Sequence, residues 1–319
     1  MKKKKGFKKL IHLFKVSYDE FKSKNGVKLS ASLSYYTIFS LPPLLFIIVY
    51  VSGLIFGEEA VRGEIFGQIS NLAGTDAAKQ IEEMLASVKF SNGKTVAGIV
   101  GAFTLIAGAS GVFGEMQDSM NLIWGLKPKP KRGWIKMLVN RAISFSMIMS
   151  LAFLLMVSLI VNAFIEVLNQ RLQHLFPDAA VILFYILNLL IIFVIIALLF
   201  WAIFKALPDG KITGKHTLYG AMFTAFLFMI GKTAIGIYLG NSNVASGYGA
   251  AGSLIVVLLW VYYSANILYF GASFTKVYAH ADGKKIIPNK YAVYIEQKET
   301  EKEPRLKYNN GEVEREAAE

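Results

Sequence analysis

The side chains that could carry acid–base or metal chemistry are few in this sequence and widely scattered. The four histidines are His12, His174, His216 and His280, and there is no cysteine. None of the histidines has the HxxH or HExxH spacing by which one helix holds a metal ion. No GxSxG elbow or Walker phosphate loop is present either. We therefore predict no catalytic residue, no metal and no cofactor, and we expect that the protein is not an enzyme.

Lys232 is the one charged residue between His216 and Lys276. If that stretch crosses a membrane, a charge within it costs several kcal/mol and is by default a candidate functional group. Its ammonium group is suited to binding an anionic headgroup or a carboxylate. Alternatively, Lys232 snorkels to the outer interface or meets a structural partner such as Tyr238. The sequence leaves both interpretations open.

Glu115 and Asp118 stand three residues apart, so they share one face of a predicted helix. They are candidates for a substrate site coupled to protons or cations. Arg141 opens the next predicted span at the same level, and a structural ion pair at the membrane interface is the alternative.

Four further polar side chains lie in otherwise apolar stretches. We predict that they line an inward-facing polar groove that binds the substrate. The alternative is that each makes a hydrogen bond between membrane helices. They are Tyr35, Tyr36, Asn188 and Asn266.

Prolines and glycines suggest a hinge. Pro42 and Pro43 remove two backbone donors from the first apolar stretch, which predicts a kinked or broken helix. The next apolar stretch contains many small residues, among them Gly108 and Gly111, and such residues let helices approach closely. We predict that these four residues form a hinge, and that the two helices that contain them move against each other.

The composition shows what kind of element must position these residues. Of the 319 residues, 54% are hydrophobic and 18% are charged, and the mean hydropathy is +0.46. Soluble proteins have roughly 45–50% apolar and about 25% charged residues. The sequence therefore predicts a membrane protein.

Long gaps between charged residues locate the membrane spans, because a helix needs about 20 apolar residues to cross the bilayer. These gaps predict an all-α polytopic fold with six transmembrane helices. The predicted spans lie near 33–56, 95–123, 138–165, 180–204, 217–239 and 248–275.

The rest of the chain divides around this membrane domain of residues 29–279. Residues 1–28 combine lysines with apolar residues at helical spacing, which predicts a basic amphipathic helix on the inner leaflet. Two short amphipathic helices are expected in the first external loop, between the first two spans. Residues 280–319 alternate acids and bases without apolar periodicity and are expected to form a disordered cytoplasmic tail.

Basic residues give the orientation. The two tails and the loops on their side contain 28 of the 34 lysines and arginines, so the positive-inside rule predicts that both termini are cytoplasmic. The net charge of +12 then faces anionic lipid headgroups, which we expect as partners, with membrane lipids generally, instead of nucleic acid. A homo-oligomer is also a candidate assembly.

Several short stretches carry a family resemblance. The entry to the first span resembles the hallmark of the YihY/BrkB family of bacterial inner-membrane proteins, long mislabelled as ribonuclease BN. The matching stretches are Ala31 to Pro43, Asn121 to Trp124, Leu207-Pro208, Tyr219 to Ala221, Tyr248 to Gly252, Trp260 to Tyr262 and Gly271-Ala272. Ser273 stands where many members are expected to have an acidic residue.

The resemblance implies a multi-pass protein of the bacterial inner membrane without a settled substrate. We expect a transporter or flippase-like protein for a lipid, amphipathic or anionic substrate. The alternative is a scaffold that does not transport but organises envelope lipids or partner proteins. Ribonuclease activity is not expected, because no suitable cluster of side chains is present.

Overall fold

A computed structural model describes residues 2–73, 75–87, 96–129, 177–241, 252–289, 292–295, 306–309 and 312–315. Most of these residues are helical. The helices are α1 (Lys2–Ser23), α2 (Gly26–Phe56), α3 (Glu58–Ala73), α4 (Thr75–Ser87), α5 (Val96–Trp124), α6 (Pro177–Ala206), α7 (Gly214–Asn241) and α8 (Gly252–Ala281). The strands are β1 (Leu126–Pro128), β2 (Gly210–Lys211), β3 (Ile287–Pro288), β4 (Ala292–Tyr294), β5 (Leu306–Asn309) and β6 (Glu312–Arg315).

Four helices in the described part of the chain are long and apolar enough to cross a membrane. These stretches are Gly26–Leu54, Leu189–Ala206, Gly214–Tyr238 and Leu254–Ala281. They coincide with the first, fourth, fifth and sixth predicted spans. The second predicted span, near 95–123, is helical as α5, and the third, near 138–165, lies outside the described residues. The count of six and the orientation stay predictions.

Helix α8 is the centre of the bundle. It packs against α1, α2, α5 and α7, while α2 packs against α5 and α6 against α7. Side chains on the outer faces of these helices are apolar and exposed, as expected for surfaces in contact with lipid. Examples are Ile186, Leu190 and Val194 on α6, and Phe226 and Ile230 on α7.

Four short strands gather at one end of the bundle, which we call the strand end. There β1 pairs with β4 and β2 pairs with β3, both antiparallel. Helices α5, α6 and α8 end here and α7 begins here. Several of the largest fully buried side chains lie near the strand end, among them Trp124, Phe204, Leu207 and Ile286. Much of the buried core of the described residues therefore lies where the helices meet the strands.

The tail differs from the expectation of disorder beginning at residue 280. Helix α8 continues to Ala281, and Ile287–Pro288 and Ala292–Tyr294 form strands against the membrane domain. Ile286 is fully buried and Ala292 is nearly so. Apolar residues in this part of the tail are too few to show helical periodicity. Burial of Ile286 and Ala292 accompanies the two short strand pairs.

Helix α2 runs unbroken through Pro42 and Pro43. Of the two predicted forms, the broken helix is therefore wrong at the level of secondary structure, and the kinked helix stays a prediction. A proline inside a helix removes one hydrogen bond, and packing in the bundle maintains the helix across this gap.

Helix α1 forms where the basic amphipathic segment was predicted. It buries Leu13, Ser17 and Phe21 against the bundle, while Leu10 and Ile11 are about half exposed. The helix thus has one apolar side packed on protein and another that is open. The predicted helices of the first loop are also present, as α3 and α4.

Candidate functional site

A buried carboxylate organises the strand end. Asp209, in the turn after α6, is 4% exposed. The side-chain amides of three residues donate to its carboxylate oxygens: Asn121 to Oδ2 at 3.0 Å, Gln117 to Oδ1 at 3.4 Å and Asn289 to Oδ1 at 3.3 Å. A charged group away from water needs such donors, because burial without them costs far more than a hydrogen bond returns.

Asn121 makes a second contact with the same turn. The backbone N–H of Asp209 donates to Asn121 Oδ1 at 2.8 Å, and the Asn289 N–H donates to the Asp209 carbonyl at 2.9 Å. The amide of Asn121 thus uses its donor and its acceptor on one residue. This cluster links the end of α5, the turn after α6 and the segment between β3 and β4.

Lys276 forms a second junction at the same end. Its ammonium group donates to Glu20 Oε1 on α1 at 2.7 Å and to the carbonyl of Ile123 on α5 at 2.8 Å. The carbonyl of Ile123 lies in the last turn of α5, where helix carbonyls lack intrahelical partners and attract cations. Lys276 therefore ties α1 and α5 to α8.

A histidine and an aspartate close the strand end between α7 and α8. His216 Nε2 lies 2.8 Å from Asp282 Oδ2, with the histidine side chain buried and that of Asp282 63% exposed. The hydrogen bond from His216 is the main cause that holds the pKa of Asp282 below its usual value. This hydrogen bond joins the first turn of α7 to the turn that follows α8.

Helices α7 and α8 carry the same short motif at their contact. Residues 220–224 read Gly-Ala-Met-Phe-Thr and residues 271–275 read Gly-Ala-Ser-Phe-Thr. A Cβ atom added at Gly220 would overlap Thr275, and one added at Gly271 would overlap Thr224. The helices are antiparallel, so this contact is reciprocal, and each glycine makes room for the other motif's threonine.

Two of the four predicted hinge residues, Pro43 and Gly108, lie against each other. A Cβ atom added at Gly108 would lie 3.1 Å from Pro43 Cγ, and one added at Gly111 would lie 3.0 Å from Ser40 Oγ. The glycines of α5 thus face the proline-containing turn of α2, and their lack of side chains sets how closely the two helices approach.

The predicted substrate residues whose side chains the structure describes lie on four helices, α2, α5, α7 and α8. Lys232 on α7 is half-buried and makes no ion pair with the residues that the structure describes. Tyr35 and Tyr36 are exposed on α2, with their rings 5.9 Å apart. Asn266 donates to the Tyr262 carbonyl of its own helix at 2.8 Å.

The remaining candidates lie on α5 and α6. Glu115 accepts a hydrogen bond at 3.4 Å from Ser119, and Asp118 is exposed. Their predicted partner Arg141 lies outside the described residues. Asn188 is on α6, and its side chain is outside those described. Ser273, where an acid was expected, is buried and donates to the Tyr269 carbonyl at 3.0 Å.

The sequence patterns did not point to Asp209 as a polar centre. It lies outside the predicted spans, and Asn121 is 88 positions away along the chain. A signal was available, because Asn121 and the neighbouring Leu207-Pro208 both stand in the stretches that carry the family resemblance. In the described part of the chain, no three histidine, aspartate or glutamate side chains gather as metal ligands would.

Comparisons with known proteins agree with the family resemblance of the sequence motifs. The family model for Virulence factor BrkB matches residues 17–292. A UPF0761 membrane protein of Haemophilus influenzae is 24% identical over 77% of this chain and 87% of its own length. One from Pseudomonas paraeruginosa is 29% identical over 76% of this chain, which spans 57% of that protein. No solved structure matches.

Proposed function

The chain belongs to the Virulence factor BrkB family and is a membrane protein, and from this premise we propose that it is a transporter or flippase-like protein. The substrate we propose is a lipid or another amphipathic or anionic molecule. We place the protein in the bacterial inner membrane with both termini in the cytoplasm. We assign it no ribonuclease chemistry and no nucleic-acid partner.

The contact between α2 and α5 carries the proposal. Pro42 and Pro43 cannot donate backbone hydrogen bonds, so α2 is weakened in the turn that faces Gly108 and Gly111. A membrane helix with freed carbonyls is stable only where protein or a polar cavity satisfies them. Because Gly108 and Gly111 have no side chains to interlock with α2, α2 can slide along α5 with a small change in free energy.

Lys232 supports an anionic substrate. It is half-buried within an apolar helix, and the described residues offer it no carboxylate. Its neighbour Gly231 packs directly against Tyr263 of α8. A substrate that pairs with Lys232 would therefore bind beside the contact of α7 with α8.

Reconstitution into liposomes tests the proposal. Purified protein is assayed for lipid scrambling and for solute flux, with and without a membrane potential or a proton gradient. We expect flux that falls when Lys232→Met is introduced while the melting temperature in detergent is unchanged. Inactivity of well-folded protein under every energised condition would contradict the proposal.

A scaffold is the second candidate function, and the Lys276 junction favours it. Contacts of Lys276 with Glu20 and Ile123, together with the hydrogen bond from Trp124 Nε1 to the Ala272 carbonyl at 3.2 Å, fix three helices at the strand end. A scaffold should tolerate Lys232→Met and Glu115→Gln as long as packing survives. A transporter should lose flux in at least one of them with its folding intact.

A further inference from the structure

A cavity at the strand end has cationic walls. It has a volume of about 560 Å³ and is lined by His280, Gly283, Lys284, Lys285, Tyr294 and Ile295. This volume is within the range of about 300–1,000 Å³ of small-molecule sites. The cavity lies between the end of α8 and strand β4, away from Lys232 and from the contact of α2 with α5.

A glycine turn and a side-chain hydrogen bond fix the backbone around this cavity. Helix α8 ends in a turn in which Gly283 has a φ of +71°, a left-handed conformation that glycine adopts without strain. On the opposite wall, the Tyr294 hydroxyl donates to the carbonyl of Ile286, which is fully buried. The cavity is therefore part of the fold of this end.

The lysines of the cavity are not needed to cap α8. The Gly283 N–H donates to the His280 carbonyl at 3.0 Å, and the Lys284 N–H donates to the Ala279 carbonyl at 2.9 Å. The Asp282 N–H donates to the Tyr278 carbonyl at 3.2 Å. Backbone N–H groups thus satisfy the carbonyls of the last turn of α8. The side chains of Lys284 and Lys285 are therefore available to bind a ligand.

The local charge balance favours an anion. Among the described residues, the nearby carboxylates are Glu20, which pairs with Lys276, and Asp282, which pairs with His216. Lys284 and Lys285 are exposed and have no ion pair within the described residues. Lys9 of α1 and Lys284 are both close enough to act on the Asp282 carboxylate. Within the part of the chain that the structure describes, the positive charges at this cavity therefore exceed the negative ones.

Apolar side chains beside the cavity indicate an interfacial ligand. Ile287 is 65% exposed, and Val293 and Ile295 are 39% and 37% exposed. Exposed apolar groups next to lysines are typical of surfaces that meet lipid acyl chains and headgroups together.

We propose that the cavity formed by His280, Lys284, Lys285 and Tyr294 binds a phosphate group, such as that of an anionic phospholipid. The lysine ammonium groups would bind the phosphate oxygens, and the Tyr294 ring and Ile295 would contact the adjoining carbon atoms. The site is independent of transport, because binding at the strand end requires no movement of α2 against α5.

Binding to vesicles and to soluble phosphate tests this assignment. The full chain, purified in a neutral detergent, is titrated with phosphatidic acid in zwitterionic nanodiscs and, separately, with inorganic phosphate. Each lysine near an anionic phosphate contributes on the order of 1 kcal/mol, or about 5-fold in affinity. We expect Lys284→Gln with Lys285→Gln to weaken phosphatidic acid binding by about 25-fold.

The matched control is Lys211→Gln with Lys127→Gln, two exposed lysines of the strand end outside the cavity. We expect this control to bind like the unchanged protein. Binding of inorganic phosphate with the same loss in the Lys284/Lys285 variant would also support the site and would identify a soluble ligand. Equal binding by both double variants, or an equal loss in both, would overturn the assignment.

Discussion

Asn121 and Asp209 hold each other through two hydrogen bonds, one from the Asn121 amide to the carboxylate at 3.0 Å and one from the Asp209 backbone N–H to the Asn121 carbonyl oxygen at 2.8 Å. Both residues are buried. This reciprocal contact joins the end of α5 to the turn after α6.

Asn121→Ala should therefore destabilise the strand end. It removes one donor to the Asp209 carboxylate and the acceptor of its backbone N–H, and weakening the hydrogen bonding of a buried polar group costs about 1–3 kcal/mol. We expect a clear fall in the melting temperature of the protein in detergent. Asp19→Asn, an exposed substitution on α1, should leave that temperature unchanged. Equal melting of both variants would show that the cluster does not stabilise the fold.

Lys276→Gln should loosen α1. The substitution removes a charged donor from Glu20 and from the Ile123 carbonyl, and hydrogen bonds to charged groups contribute about 1.5–3 kcal/mol. Limited trypsin digestion should then cleave α1 at its lysines several-fold faster.

Glu20→Gln provides the comparison for this junction. Its amide oxygen can still accept a hydrogen bond from Lys276, so its effect on the cleavage of α1 should be smaller than that of Lys276→Gln. Unchanged cleavage in Lys276→Gln would mean that the aromatic contacts of Phe14 and Phe21 with Phe270 are enough to hold α1.

The reciprocal glycines should tolerate no added methyl group. Gly220→Ala and Gly271→Ala each place a Cβ atom on a threonine of the opposite helix, and overpacking typically costs about 1–3 kcal/mol. Both variants should melt at lower temperature. Gly236→Ala, where a Cβ atom meets nothing within 4 Å, should instead be neutral or slightly stabilising, because alanine favours the helix by about 1 kcal/mol.

The hydrogen bond between His216 and Asp282 should make the stability of the protein depend on pH in the acid range. The usual pKa of the Asp282 carboxyl is 3.8, and His216 lowers it in the folded protein. The stabilisation is complete well above 3.8 and is lost as the pH falls through 3.8 toward the lowered value. Melting curves from pH 3 to 7 should show this loss, and Asp282→Asn should lack it. Parallel curves for the two proteins would contradict the assignment.

The membrane helices could be predicted from the sequence because long stretches without charge are typical of bilayer-spanning helices and rare in soluble proteins. Spans near 33–56, 180–204, 217–239 and 248–275 coincide with apolar helices of the structure. The meeting of Pro43 with Gly108 was also accessible, because prolines and small residues mark places where membrane helices approach closely.

The Asp209 cluster could not be predicted in the same way. Its members come from three segments far apart in the chain, and a single buried aspartate in a Pro-Asp-Gly turn looks like an ordinary turn residue. The strand pairs of residues 287–294 were missed because two or three residues are too few for an alternating pattern. Such contacts depend on how the helix ends are brought together.

If α2 moves against α5 during transport, a reversible disulfide between the two helices should stop transport. The chain has no cysteine, so Ser40→Cys with Gly111→Cys introduces the one thiol pair. A Cβ atom at position 111 lies 3.0 Å from Ser40 Oγ, so the two introduced side chains would be in direct contact, as a disulfide requires.

Lipid scrambling and solute flux are then measured in liposomes before oxidation, after oxidation and after reduction, with each single substitution as a control. We predict that the oxidised double variant loses flux, that reduction restores it, and that both single variants are unaffected by oxidant. Full flux in the cross-linked protein would contradict the claim that these two helices move.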